Sequence, residues 1–111
     1  MDVPRVLIED LAKDLGVGSD VAESLVRWVI GYLDRPCCWS VGFVRLVIDL
    51  SVDSRMRDVL RELGIAVAGC EVSEEGLVKL KKVLDVVIRY LERVGIVEYV
   101  KSDGVVNLLR R

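Results

Sequence analysis

The sequence predicts a mainly α-helical domain that ends in a C-terminal β-hairpin and is preceded by an N-terminal two-helix extension. Three observations predict it. Leu77, Leu80, Leu84, Val87, Leu91 and Val94 recur at alternating spacings of three and four, which is the period of one helix face. After Gly95, two β-rich runs flank Lys101-Ser-Asp-Gly104, a hairpin signal with Asp103-Gly104 as the turn. Before residue 36, two helical patterns are separated by glycines, which act as stop signals.

Each element follows from local chemistry. Val6, Leu7, Leu11 and Leu15 predict a helix over about 5–15, ending at Gly16 or Gly18. Ser19-Asp20 offers an N-cap to a second helix, in which Val21, Leu25, Trp28, Val29, Tyr32 and Leu33 continue to about residue 34, before Pro36. Segment 39–51 carries two patterns. Trp39, Val41 and Phe43 alternate as in a strand, whereas Phe43, Val47 and Leu50 are spaced as in a helix; Arg45 and Asp49, four apart on one face, favour helix. Asp53-Ser54 caps a further helix with Met56, Val59, Leu60 and Leu63, closed by Gly64. Residues 65–72 read as a connection with a short extended piece. Ser73 then caps the long helix, with Glu74 and Glu75 in its first turn, where the helix dipole favours acids. The division is residues 1–36 as the extension and 37–111 as the main domain, forming one compact unit. Trp28, Tyr32, Val47, Leu60, Leu63, Leu80, Leu84, Val87 and Leu91 are the expected core.

Composition narrows the chemistry. The chain has 111 residues and no histidine, which excludes His-ligated metals, Ser-His-Asp or Cys-His catalysis and histidine proton shuttles. A chain of this length buries about two-thirds of its unfolded surface, enough for a core without disulfides. The three cysteines, Cys37, Cys38 and Cys70, fall short of a four-ligand zinc set; they read as small buried residues, or as one Cys37/Cys38–Cys70 disulfide in a hyperthermophile. A single Asn, no Gln, and 16 basic beside 18 acidic side chains suit a thermophile. The opening Met1-Asp-Val-Pro-Arg5 leads into alternating charged and apolar positions, so no secretory leader is expected. No apolar run nears the ~18 residues of a membrane span. A cytoplasmic protein with no membrane contact is expected. Without a phosphate-binding glycine loop or a nucleophile–base pair, no enzyme activity and no cofactor or metal are expected.

From residue 39 on, the order is helix, helix, connection, long helix, hairpin. The join Tyr90-Leu-Glu-Arg-Val-Gly-Ile-Val97, followed by Glu98-Tyr-Val-Lys-Ser-Asp-Gly-Val-Val106, resembles a winged helix-turn-helix domain. There, a third helix ending in Leu-Glu-x-x-Gly runs into a two-stranded wing. Arg57-Asp-Val-Leu-Arg-Glu-Leu-Gly-Ile65 is similar to that family's second helix. The resemblance covers about 70 residues. It implies a winged-helix fold, with the long helix in the major groove and the wing on the backbone or minor groove.

Charge is distributed to match. Residues 77–111 hold eight Lys or Arg against four acids, net +4, while residues 1–76 carry net −6. A basic third on an acidic body is the asymmetry of a phosphate-facing surface. The candidate contacts are Lys79, Lys82, Arg89 and Arg93 on the helix face opposite the apolar one, then Lys101 in the wing and Arg110 and Arg111 at the end. Glu74 and Glu75 work against phosphate approach at the helix start, and no Asn or Gln on that helix is available to read adenine. The expected function is DNA binding by a small transcriptional regulator, with RNA as the other nucleic acid such a stripe could serve. A homodimer is expected, its contacts made by the N-terminal helices through Trp28 and Tyr32, to match a palindromic site. The alternative is an interaction module, a subunit whose basic face meets an acidic partner protein.

Overall fold

The computed structural model describes residues 3–34, 40–65, 67–68 and 71–109. Helix α1 (Arg5–Leu15) follows Pro4 and ends where Gly16 turns left-handed at φ 69°. There the Val17 amide reaches back to the Ala12 carbonyl at 3.0 Å, closing the helix end. Helix α2 (Ser19–Leu33) begins at the expected cap residue itself, so its cap lies one residue earlier. Gly18 occupies the cap position and no side chain bonds there.

Trp39 lies outside the described residues, and from residue 40 on the segment realises both of its patterns in succession. Ser40–Gly42 is strand β1, and Phe43–Val52 is helix α3. Asp53 then caps a single 3-10 turn, Ser54–Met56, by accepting the Arg55 amide, and α4 (Arg57–Glu62) continues from it. The connection contains two-residue strands β2 (Val67–Ala68) and β3 (Glu71–Val72), paired antiparallel. Helix α5 (Glu74–Arg93) is capped by Ser73, whose Oγ accepts the Gly76 amide at 3.1 Å. After the left-handed Gly95, strands β4 (Val97–Val100) and β5 (Val105–Leu108) form the C-terminal hairpin.

The hairpin acquires a third strand. Its order is β1-β5-β4, all antiparallel, with Val106 facing both Val41 and Tyr99 in register. The Phe43 amide extends this ladder by donating to the Gly104 carbonyl at 2.7 Å, and the Phe43 and Tyr99 rings stack at 5.2 Å. The loop between β4 and β5 is four residues, Lys101–Gly104, rather than a tight Asp103-Gly104 turn. A two-residue type I′ turn needs positive φ at both central positions, and Asp103 does not take it; only Gly104 does, at 64°.

One apolar cluster runs through all of this. Leu11, Leu25, Val29 and Leu33 from α1 and α2 lie in the same cluster as Leu46, Leu50, Leu60, Leu80, Leu84, Ile88 and Leu91, all fully buried. Helix α1 touches α2 and α5, and α2 reaches α4 and β5. The N-terminal pair is therefore part of the packing that holds α5. Of the expected core, Val47, Leu60, Leu63, Leu80, Leu84, Val87 and Leu91 are buried, but Trp28 and Tyr32 are only half-buried at the edge of the cluster. No helix among the described residues is long and apolar enough to cross a membrane.

Candidate nucleic-acid interface

Helix α5 positions most of the candidate site. Leu80, Val83, Leu84, Val87, Ile88, Tyr90 and Leu91 are buried, which turns the opposite face outward. Lys79, Lys82, Arg89 and Arg93 are all exposed there, with half-buried Val86 among them. At 1.5 Å per residue the four cations span about 21 Å of helix. The long apolar stripe is the physical reason for the basic one: once it is fixed in the core, the 3.6-residue period sends these positions to solvent.

The four cations differ in their surroundings. Lys79 lies along the end of α4, its Nζ only 2.8 Å from where a Cβ on Gly64 would stand. Lys82 has no acidic partner among the described residues. Arg89 pairs with Asp85 at 2.9 Å, one turn back on the same helix. Arg93 sits over the Tyr90 ring, 4.9 Å from its centre. Tyr90 in turn donates its hydroxyl to the Asp14 carboxylate and to the Asp10 carbonyl, tying α5 to α1. That bond to Asp14 pushes the Tyr90 hydroxyl pKa upward, with burial adding to it, so the ring stays neutral beneath Arg93. A surface i,i+4 pair such as Arg89–Asp85 is worth only a few tenths of a kcal/mol, so Asp85 holds Arg89 only loosely.

Lys101 is exposed at the first position of the β4–β5 loop, on a different element from the stripe. Arg110 and Arg111 lie outside the described residues, as do Cys37, Cys38 and Cys70. Glu74 and Glu75 are exposed at the start of α5, where the sequence places them against phosphate approach. Glu92 is engaged: its Oε2 accepts the Tyr99 amide at 3.2 Å on the outer edge of β4. Among the described residues no three His, Cys, Asp or Glu side chains converge on a metal-sized point.

Sequence reasoning missed a second feature. Trp28 and Tyr32 stack at 5.1 Å and line an open groove of about 440 Å³ with Arg27, Gly31, Arg55 and Met56. Trp28 donates its indole N–H to Asp53 at 2.8 Å, and Tyr32 donates to Asp49. Arg55 clasps Asp53 through Nε at 3.2 Å and a terminal nitrogen at 2.9 Å. This clasp is the main reason the Asp53 carboxyl is held at about 2 rather than 3.8; burial opposes it, and the Trp28 bond reinforces it. The available signal was the matched spacing of Trp28/Tyr32 and Asp49/Asp53, each four apart on its own helix or cap.

No known protein family, curated protein or solved structure matches this chain.

Proposed function

We propose that this chain is a small nucleic-acid-binding protein of the winged-helix type, acting as a DNA-binding transcriptional regulator. In this reading α3, α4 and α5 are the helical core and β4–β5 is the wing, with β1 completing its sheet. The single observation that carries it is the outer face of α5, where Lys79, Lys82, Arg89 and Arg93 stand exposed in one row. The net +4 of residues 77–111 against the net −6 of the rest supports the same surface. The mechanism is electrostatic: exposed cations replace counterions along the phosphate backbone, and each such contact steepens the salt dependence. Lacking Asn or Gln on α5, the helix would read bases through arginine, whose preferred partner is guanine.

The experiment is titration of random-sequence duplex at 50 and 200 mM salt. Four to five phosphate contacts imply a loss of about two orders of magnitude in affinity between these conditions. Absence of binding at 50 mM would reject the reading. The second reading is a subunit that presents the same face to an acidic protein. Val78, 56% exposed one turn before Lys82, favours it, because an apolar group amid cations suits a protein surface better than a phosphate backbone. A chain that ignores duplex but binds an acidic polypeptide would support this second reading.

A further inference from the structure

Helix α3 carries an apolar ridge that the fold leaves open. Six large apolar side chains are exposed among the described residues, and three of them, Val44 (61%), Ile48 (44%) and Val52 (62%), lie four apart on this one helix. The opposite face is buried through Phe43, Leu46, Val47 and Leu50. The only charged residues in α3 are Arg45 and Asp49, which pair with each other at 3.3 Å. A helix that is apolar nearly all round is characteristically covered.

We propose that a second copy of this chain covers it, through antiparallel packing of α3 on α3 about a two-fold axis beside Ile48. The pattern of the ridge selects this occupant. Val44–Ile48–Val52 reads the same in both directions, so the axis sets Ile48 against Ile48 of the partner subunit and Val44 against Val52 of the partner subunit. Rows four residues apart are also the ridges that interdigitate in the commonest helix–helix packing class. The adjoining row is Arg45–Asp49. Under that axis the same flank of each helix meets its counterpart, which brings Arg45 beside Asp49 of the partner subunit and the reverse. Parallel packing would set this flank against the one bearing Val47 and Ser51, with no charge to answer it. An acidic partner protein or a phosphate backbone would find no net charge on this face.

The contact is small. Stable interfaces bury about 800 Å² per partner, and a ten-residue helix is only about 15 Å long, so the dimer dissociates in the micromolar range or above. The surface lies on α3, whereas the sequence pointed to Trp28 and Tyr32. Those two side chains direct their polar atoms to Asp53 and Asp49 within the chain. The inference does not depend on what α5 binds.

Sedimentation equilibrium on the full chain from 10 μM to 1 mM tests it, on the parent and on Ile48→Glu, Arg45→Glu and Val6→Glu, each checked for folding by circular dichroism. The parent is expected to pass from monomer to dimer across this range. Ile48→Glu should weaken association by about tenfold or more, since it sets two like charges together at the axis. Arg45→Glu, which leaves the apolar ridge intact, should weaken it by about threefold, with the effect shrinking in high salt. Val6, 66% exposed on α1, is the control and should leave association unchanged. A parent that stays monomeric at 1 mM overturns the proposal. So does a dimer insensitive to both α3 substitutions, and Arg45→Glu supplies this result even if Ile48→Glu does not fold.

Discussion

Replacing Leu84 by Ala asks whether the face of α5 has been assigned correctly, because the basic stripe is outward only if Leu84 is inward. Leu84 is fully buried in the middle of α5, between Leu80 and Ile88, which are themselves fully buried. The substitution removes three carbon groups, or about 2.4 kcal/mol of transfer free energy at ~0.8 kcal/mol each. The cavity left in a packed interior adds to this and brings the expected loss to about 2.5–5 kcal/mol. With an unfolding entropy near 2.1 cal/mol/K per residue, each kcal/mol lowers Tm by about 4 °C in a chain of this size, so Tm should fall by about 10–20 °C. Thermal and urea unfolding followed at 222 nm measure both quantities. Val78→Ala, on the solvent side of the same helix and 56% exposed, should change stability by less than about 0.5 kcal/mol. A Leu84→Ala loss under 1 kcal/mol, or a larger loss for Val78→Ala, would refute the assignment and with it the placement of Lys79, Lys82 and Arg89.

Three further outcomes follow from the same packing. Asp53→Ala should cost about 1–2 kcal/mol at pH 7 by removing a cap and the anchor of Trp28. Because the folded-state carboxyl is depressed to about 2 from 3.8, its contribution is present above pH 4 and fades as pH falls toward 2, so acid unfolding curves of parent and variant should converge there. Gly31→Ala should stabilise the chain by about 0.5–1 kcal/mol, since Gly31 is interior to α2 and an added Cβ meets nothing within 4 Å; a lower Tm would contradict this. Replacing both Glu74 and Glu75 by Gln should tighten duplex binding if the start of α5 faces the phosphates, and filter binding at constant salt would show unchanged affinity if it does not.

Local pattern carried much of the fold. Helix α1 begins and ends at the expected residues, and α5 follows its spacing of three and four from the Ser73 cap to Gly95, because both are strongly amphipathic and bounded by glycine or a capping side chain. What pattern could not supply was partnership across the chain. The alternation through Val41 left open whether residues 40–42 would pair, since their partner, β5, lies more than sixty residues away. Trp28 and Tyr32 sit at core spacing on α2, yet that side of the helix meets the Arg55–Met56 turn and an open groove; periodicity defines a face without saying what lies opposite. Helix α3 poses the same problem in a stronger form. With apolar residues on almost every side, nothing in its period distinguishes buried Val47 from exposed Val44 or Ile48. The candidate interface was legible on α5 because its charged and apolar residues separate cleanly. The part on the C-terminal hairpin was less so, since Lys101 is the one cation among the described residues of that hairpin and stands beside Asp103.

The most direct measurement of phosphate contact by α5 is the salt slope of duplex binding for the parent and for a variant with Lys79, Lys82 and Arg89 all replaced by Ala. These side chains are exposed and Ala favours helix, so the variant should fold with a Tm near that of the parent. If the row meets phosphates, losing three contacts should reduce the slope of log K against log salt by about 2.7, at roughly 0.9 per contact. Binding should then be strongly weakened at 50 mM salt and much less so at 200 mM. A folded variant that binds duplex with the parent's affinity and slope would contradict the account, and the stripe would then be an ordinary solvated helix face.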